Sequence, residues 1–168
     1  MAITRLGGAN AISGTIPAAN VATLTFSNFP TDSIVQSKYY VVTSTQINTT
    51  STSFVNAGSS FNFTPLLSSS TLAVIVTTDM RHDGGSDGCQ IELHKDGSNI
   101  VGGSSNNWIK YFAGATLNNH QTTSFFLKIA NSSTSQMTFQ LKFKSFDAGT
   151  ASLGGFGNTD VLIHEIKG

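Results

Sequence analysis

Apolar and polar residues alternate over short stretches of this chain, which is the pattern of β-strands with one buried face. The stretch 136–144 shows it best, because Met137, Phe139, Leu141 and Phe143 fall on one side and polar residues fall on the other. No segment of helical length has a sustained 3.6-residue apolar repeat. The predicted strands are Ile34–Thr45, Thr52–Asn56, Ser60–Phe63, Thr71–Thr78, Cys89–His94, Trp108–Phe112, Ser124–Ala130, Gln136–Phe146 and Val161–Ile166.

Turn signals separate these strands. KDGSN at Lys95–Asn99 predicts a hairpin, since Asp-Gly tolerates the positive φ of tight turns. GGFG at Gly154–Gly157 is interpreted as the turn before the last strand. Eight or nine short strands without crossover helices predict an all-β, antiparallel β-sandwich or barrel.

Several predicted strands are apolar on both faces. In Thr71–Thr78, Ala73 and Ile75 oppose an equally apolar face, and Phe126 opposes the apolar face of its own strand. A two-sheet sandwich buries one face of each strand, so a second apolar face indicates another cover, namely the N-terminal segment or another subunit. The alternative explanation for the second apolar face is that the strand lies in the centre of its sheet and is covered by long loops of the same chain. The interface candidates are Ala73, Ile75, Trp108, Tyr111, Phe126 and His164.

Residues 1–31 have a different pattern from the rest of the chain. Gly and Pro interrupt any helix or central strand, yet the segment is too apolar and too weakly charged for a solvated disordered tail. We interpret it as an extended assembly arm that leads into a β-sandwich domain over residues 32–168; the alternative is a lead-in that packs on its own domain. The candidate attachment residues of the arm are Ile3, Arg5, Leu6, Ile12, Ile16, Val21, Leu24 and Phe26.

Charge and composition narrow the function classes. Charged residues make up 11% of the 168 residues, with a net charge of zero, and the lack of a basic run argues against nucleic acid as a partner. The longest apolar run is too short to span a bilayer, and the N-terminus lacks the basic stretch followed by an apolar stretch that is typical of a signal peptide. The single cysteine fits synthesis in a reducing cytoplasm.

Candidate chemistry is sparse. TTDMRHDGGSDG at Thr77–Gly88 is interpreted as an exposed polar loop; a calcium site or a polar contact patch are alternatives, although the spacing matches no calcium loop. Strand parity places Cys89 in the core, on the opposite face from His94. The two glutamates, Glu92 and Glu165, fall on different strands. We therefore expect no enzymatic activity, no metal and no cofactor. The predicted loop residues are Asp79, Arg81, His82, Asp83 and Asp87.

The opening MAITRLGGANAISGTIPAANVATLT resembles the start of many small structural proteins of tailed phages of marine and freshwater bacteria, including cyanophages. The segments SIVQSKYYVVTSTQINTTSTSFVN, FNFTPLLSSSTLAVIVTTDM and GGFGNTDVLIHEIKG resemble the Ser/Thr-rich sandwich of the same group. The resemblance implies a jelly roll, a homotrimer and a place in the virion as a capsid decoration (cement), tail-fibre or tailspike protein. It implies no catalytic residues.

The absence of a shaft, whether heptads or repeats, favours decoration over a tail fibre. We therefore expect a homotrimer on the capsid exterior that binds the major capsid protein. A tail-fibre or tailspike receptor-binding domain that recognises a host surface glycan is the alternative. A carbohydrate-binding module outside any virion is a weaker one, since core packing explains the aromatic residues equally well.

Overall fold

The computed structural model describes residues 25–83, 88–101, 108–111, 120–146 and 149–168. The chain divides into two units, Met1–Pro30 and Thr31–Gly168. In the described part of the first unit, Phe26–Asn28 form a 3₁₀ turn, and the rings of Phe26 and Phe29 lie 6.3 Å apart.

The second unit is all-β in its described residues, and every strand pair is antiparallel. The strands are β1 (Ile34–Thr43), β2 (Ile47–Thr49), β3 (Val55–Asn56), β4 (Phe61–Phe63), β5 (Ser70–Asp83), β6 (Gly88–Lys95), β7 (Ser98–Asn99), β8 (Trp108–Tyr111), β9 (Gln121–Asn131), β10 (Met137–Ser145), β11 (Thr150–Leu153) and β12 (Thr159–Lys167).

In four places, two strands that follow each other in the chain form the two parts of one longer, interrupted strand. β1 and β2 follow each other along β12 and β11, and β3 and β4 both pair with β10. β7 and β8 both pair with β6, and β11 and β12 both pair with β5. The chain therefore forms eight strand segments in two sheets. Sheet A has the order β1/β2, β12/β11, β5, β9, and sheet B has the order β3/β4, β10, β6, β7/β8.

The pairing of the eight segments is nested. The first pairs with the eighth, the second with the seventh, the third with the sixth and the fourth with the fifth. This order arises when one long antiparallel hairpin is wrapped so that alternate strand pairs fall in opposite sheets. The resulting fold is the jelly roll. The sequence prediction of an all-β sandwich is thus confirmed.

The core lies between the two sheets. β10 has the predicted alternation, because Met137, Phe139 and Leu141 are buried while Thr138, between the first two, is exposed. β5 contributes Leu72, Val74 and Val76 from the other side. The predicted hairpin at Lys95–Asn99 is confirmed: β6 and β7 pair across Asp96 and Gly97, which have φ values of 50° and 85°.

The predicted exposed polar loop is wrong for the residues that the structure describes. β5 continues to Asp83, so Asp79, Arg81, His82 and Asp83 lie in a strand, and Asp87 lies outside the described residues. Only 5% of Asp79 and 6% of His82 is exposed. These polar side chains remain in a buried strand because residues far away in sequence supply their hydrogen bonds, which no local pattern reveals.

Candidate interaction surface

The outer face of sheet A carries an apolar row. Tyr39, Leu162, Ile75 and Phe126 lie side by side in register on β1, β12, β5 and β9, with their side chains pointing away from the core. We call them the central row. The two ends are the most exposed, with 59% of Tyr39 and 61% of Phe126 accessible, and the two middle members are half-buried.

The rows on either side of the central row extend this face. Ser37, His164, Ala73 and Lys128 form one, and Val41, Asp160, Thr77 and Ser124 form the other. Val41 is 47% exposed. The Tyr39 hydroxyl donates to Asp160, and this hydrogen bond raises the pKa of Tyr39.

The outer face of sheet B is polar by comparison. Across β10 and β6, Gln140 pairs with His94, Lys142 with Glu92, and Lys144 with Gln90. His94 Nε2 lies 2.7 Å from Glu92 Oε2, and Lys144 Nζ lies 5.0 Å from the centre of the Phe54 ring. The described residues on the outer face of sheet B are thus polar, whereas the outer face of sheet A carries one apolar row between two mostly polar rows.

Four of the six interface candidates from the sequence converge on the outer face of sheet A: Ala73, Ile75, Phe126 and His164. Trp108 does not. It lies in sheet B, and its ring stacks on Phe125 at 4.9 Å, against the core. We therefore remove Trp108 from the candidate interface, because parity within a short strand did not show which face meets the core. The Tyr111 side chain and the arm residues Ile3, Arg5, Leu6, Ile12, Ile16, Val21 and Leu24 lie outside the described residues.

A buried carboxylate organises one end of the same face. Asp79 Oδ2 accepts a hydrogen bond from the backbone N–H of Phe156 at 2.9 Å and lies 2.6 Å from His120 Nδ1. The His120 ring packs on Phe156 with centroids 4.0 Å apart, and 82% of Phe156 is exposed. Asp79 therefore fixes the turn that presents Phe156, the turn that GGFG predicted. Sequence reasoning missed this cluster because His120 is 41 residues from Asp79.

The remaining polar residues of β5 are also used structurally. Arg81 forms an ion pair with Asp83 at 3.0 Å, and the inward-facing His82 shares a 2.9 Å hydrogen bond with Ser145. The alternative of a polar contact patch over residues 81–83 is therefore wrong for His82. Within the described ranges, no group of three or more His, Cys, Asp or Glu is arranged to hold a metal ion.

Cys89 is fully buried, as predicted. Its thiol donates to the Arg81 carbonyl at 3.1 Å, and burial raises its pKa to about 12. His94, the other half of the hypothetical Cys/His pair, is engaged with Glu92 instead. A thiol that is this hard to ionise is a poor nucleophile.

Glu165, the second glutamate, is fully buried on β12 in sheet A, whereas Glu92 lies in sheet B. Its carboxylate accepts hydrogen bonds from Leu66 N–H, Leu67 N–H, Ser70 Oγ and Gln36 Nε2. The two glutamates do not share a site, and Glu165 holds the β4–β5 connection in place. No helix in the described part of the chain has the length and apolarity that a bilayer crossing requires.

No protein-family model matches the chain, and no curated protein sequence matches it. Among solved structures, it is similar to a chain in the structure of the infectious bursal disease virus Gt strain, with 14% identity, a TM-score of 0.46, and coverage of 82% of this chain and 39% of that one. It is also similar to the VP2 subviral particle of infectious bursal disease virus, with 13% identity, a TM-score of 0.41, and coverage of 82% and 39%. The chain thus spans about two fifths of the length of these neighbours.

Proposed function

We propose that this chain is a virion structural protein that decorates and cements a capsid as a homotrimer. Its sandwich domain self-associates, and its N-terminal arm attaches the trimer to the major capsid protein on the capsid exterior. The observation that carries the proposal is the exposed apolar central row on the outer face of sheet A.

Self-association follows from the contrast between the two outer faces. An apolar row with large exposed side chains at both sheet edges is a feature that proteins normally cover, and the described residues on the outer face of sheet B form no comparable row. A second copy is a suitable cover because the net charge is zero, so identical chains do not repel one another. Burying one large apolar side chain contributes about 1.5–3 kcal/mol.

Attachment by the arm is argued from its sequence. An extended segment of this length can reach up to ~100 Å, which is enough to cross a boundary between capsid subunits. Its apolar residues stand every few positions, without the regular spacing of a core element. Such a segment suits a groove or seam on another protein better than a core of its own.

Deletion of residues 2–26 tests the attachment. We expect native mass spectrometry to show that the truncated protein is still folded and trimeric. When it is mixed with capsids that lack this protein, we expect quantitative gel analysis of the purified particles to show that it does not bind. Full occupancy by the truncated protein would show that the sandwich itself makes the capsid contact. Failure of the truncated protein to fold would show that the arm belongs to the core.

Copy number per virion separates the two virion roles. Hundreds of copies are expected of a cement protein, and a few to a few dozen would indicate the tail-fibre alternative instead. The Phe126→Lys variant tests the surface: we expect it to be monomeric, while Thr138→Lys, an exposed strand position on sheet B, stays trimeric.

A further inference from the structure

We propose that three copies pack their A sheets around a threefold axis as a triangular prism, with β9 of each copy beside β1 of the next. Phe126 of one copy then contacts Tyr39 of the neighbouring copy, and Leu162 and Ile75 face the axis. This inference rests on the proposed homotrimer and specifies its geometry.

The width of sheet A fits such a prism. Four strands spaced about 4.8 Å apart give a side of about 19 Å. A triangle with that side has a distance of about 5.5 Å from its centre to each side, close to half of the ~10 Å that separates packed sheets. A two-stranded sheet would leave no room for side chains at the axis, and a six-stranded sheet would leave a channel. The four-stranded order β1, β12, β5, β9 lies between these limits.

The register of sheet A brings the apolar residues to the same height. Rotation about an axis that is parallel to the strands moves no residue along that axis, so the three central rows stay level with one another. The β9 end of one row, Phe126, therefore meets the β1 end of the next row, Tyr39. These two residues are also the most exposed of the row, at 61% and 59%, as residues that project past the sheet edges toward a neighbour should be.

Disulfide trapping tests the arrangement. In the Tyr39→Cys/Phe126→Cys double variant, mild oxidation should yield a covalent trimer on a denaturing, non-reducing gel, because every interface joins position 39 of one chain to position 126 of the next. Each single variant should stay monomeric on the same gel. Cys89 is buried and does not compete, and Thr138→Cys on sheet B serves as the control that should not cross-link.

Other outcomes identify other arrangements. Covalent dimers from either single variant would mean that like positions meet across a twofold axis, and a double variant that stops at the dimer would mean a face-to-face pair; either result overturns the prism. A trimer by native mass spectrometry without any 39–126 cross-link would also overturn it, while leaving the proposed function standing. A wild-type protein that is monomeric would instead overturn the proposed function.

Discussion

Glu165→Gln should destabilise the sandwich although it changes only one atom of a buried side chain. Oε2 of Glu165 accepts from Leu66 N–H at 2.8 Å and from Gln36 Nε2 at 3.1 Å. Oε1 accepts from Leu67 N–H at 2.9 Å and from Ser70 Oγ at 2.9 Å. The carboxylate is fully buried, so water cannot take over any of these roles.

The magnitude follows from what the new amide group can still accept. If the amide nitrogen replaces Oε1, the Ser70 hydroxyl can turn to accept a hydrogen bond, but the Leu67 N–H then faces another donor. If the amide nitrogen replaces Oε2, the Leu66 N–H faces another donor instead. One buried backbone donor is left unsatisfied in either orientation, which costs about 1–3 kcal/mol. The remaining bonds also lose the strength that the ionised acceptor provided, and relief of the buried charge offsets part of this loss. We expect a net loss of about 2–3 kcal/mol.

Denaturation by guanidinium chloride, followed by circular dichroism at one fixed protein concentration, measures the change, since the stability of an oligomer depends on concentration. Glu92→Gln is the matched control, because among the described residues the Glu92 carboxylate on sheet B bonds the neighbouring His94 side chain and no backbone N–H, so this substitution leaves no buried backbone donor unsatisfied. A Glu165→Gln protein within about 0.5 kcal/mol of wild type would refute the assignment of Glu165 as the anchor of the β4–β5 connection.

The remaining predictions concern single residues. Cys89→Ala should lower the free energy of unfolding by about 1 kcal/mol or somewhat more. A thiol reagent should label Cys89 in the denatured protein but not in the native protein, and rapid labelling of the native protein would contradict its burial. Because the pKa of Cys89 is raised from 9.0 to about 12 in the folded protein, the stability that the neutral thiol contributes is fully present below pH 9 and is lost as the pH rises toward 12. Gly155→Ala places a Cβ against the His120 ring and should destabilise the turn that carries Phe156, whereas Gly157→Ala, with open space around it, should not; equal thermal midpoints for the two variants would contradict this reasoning.

The strands with one apolar face were predictable from sequence, because burial between two sheets imposes a two-residue period. β10 and β6 lie close to their predicted bounds for this reason. The short strands Ile47–Thr49, Ser98–Asn99 and Thr150–Leu153 were missed. Each is the continuation of a neighbouring strand across an interruption, and its pairing depends on a partner that is distant in sequence. The polar end of β5 was missed for the same reason.

The nested order of the strands was beyond the reach of the pattern as well. Periodicity shows that a strand has a buried face, but not which other strand lies beside it. The second apolar face of β5 and β9, in contrast, was visible in the sequence, because Ile75 and Phe126 break the alternation. Only the register of four strands shows that these two residues belong to one continuous row with Tyr39 and Leu162.

The apolar face and the N-terminal arm depend on each other in the proposed function. Ordering a residue of the arm costs about 1–2 kcal/mol of backbone entropy, and burying an Ile or Leu returns about 1.5–3 kcal/mol. With one apolar residue in every three or four, a single arm gains little free energy by binding alone. Three arms on one trimer engage together, because the first contact raises the effective concentration of the other two at the capsid surface. In this proposal, covering the outer face of sheet A forms the trimer, and the trimer combines three weakly binding arms into a firm attachment.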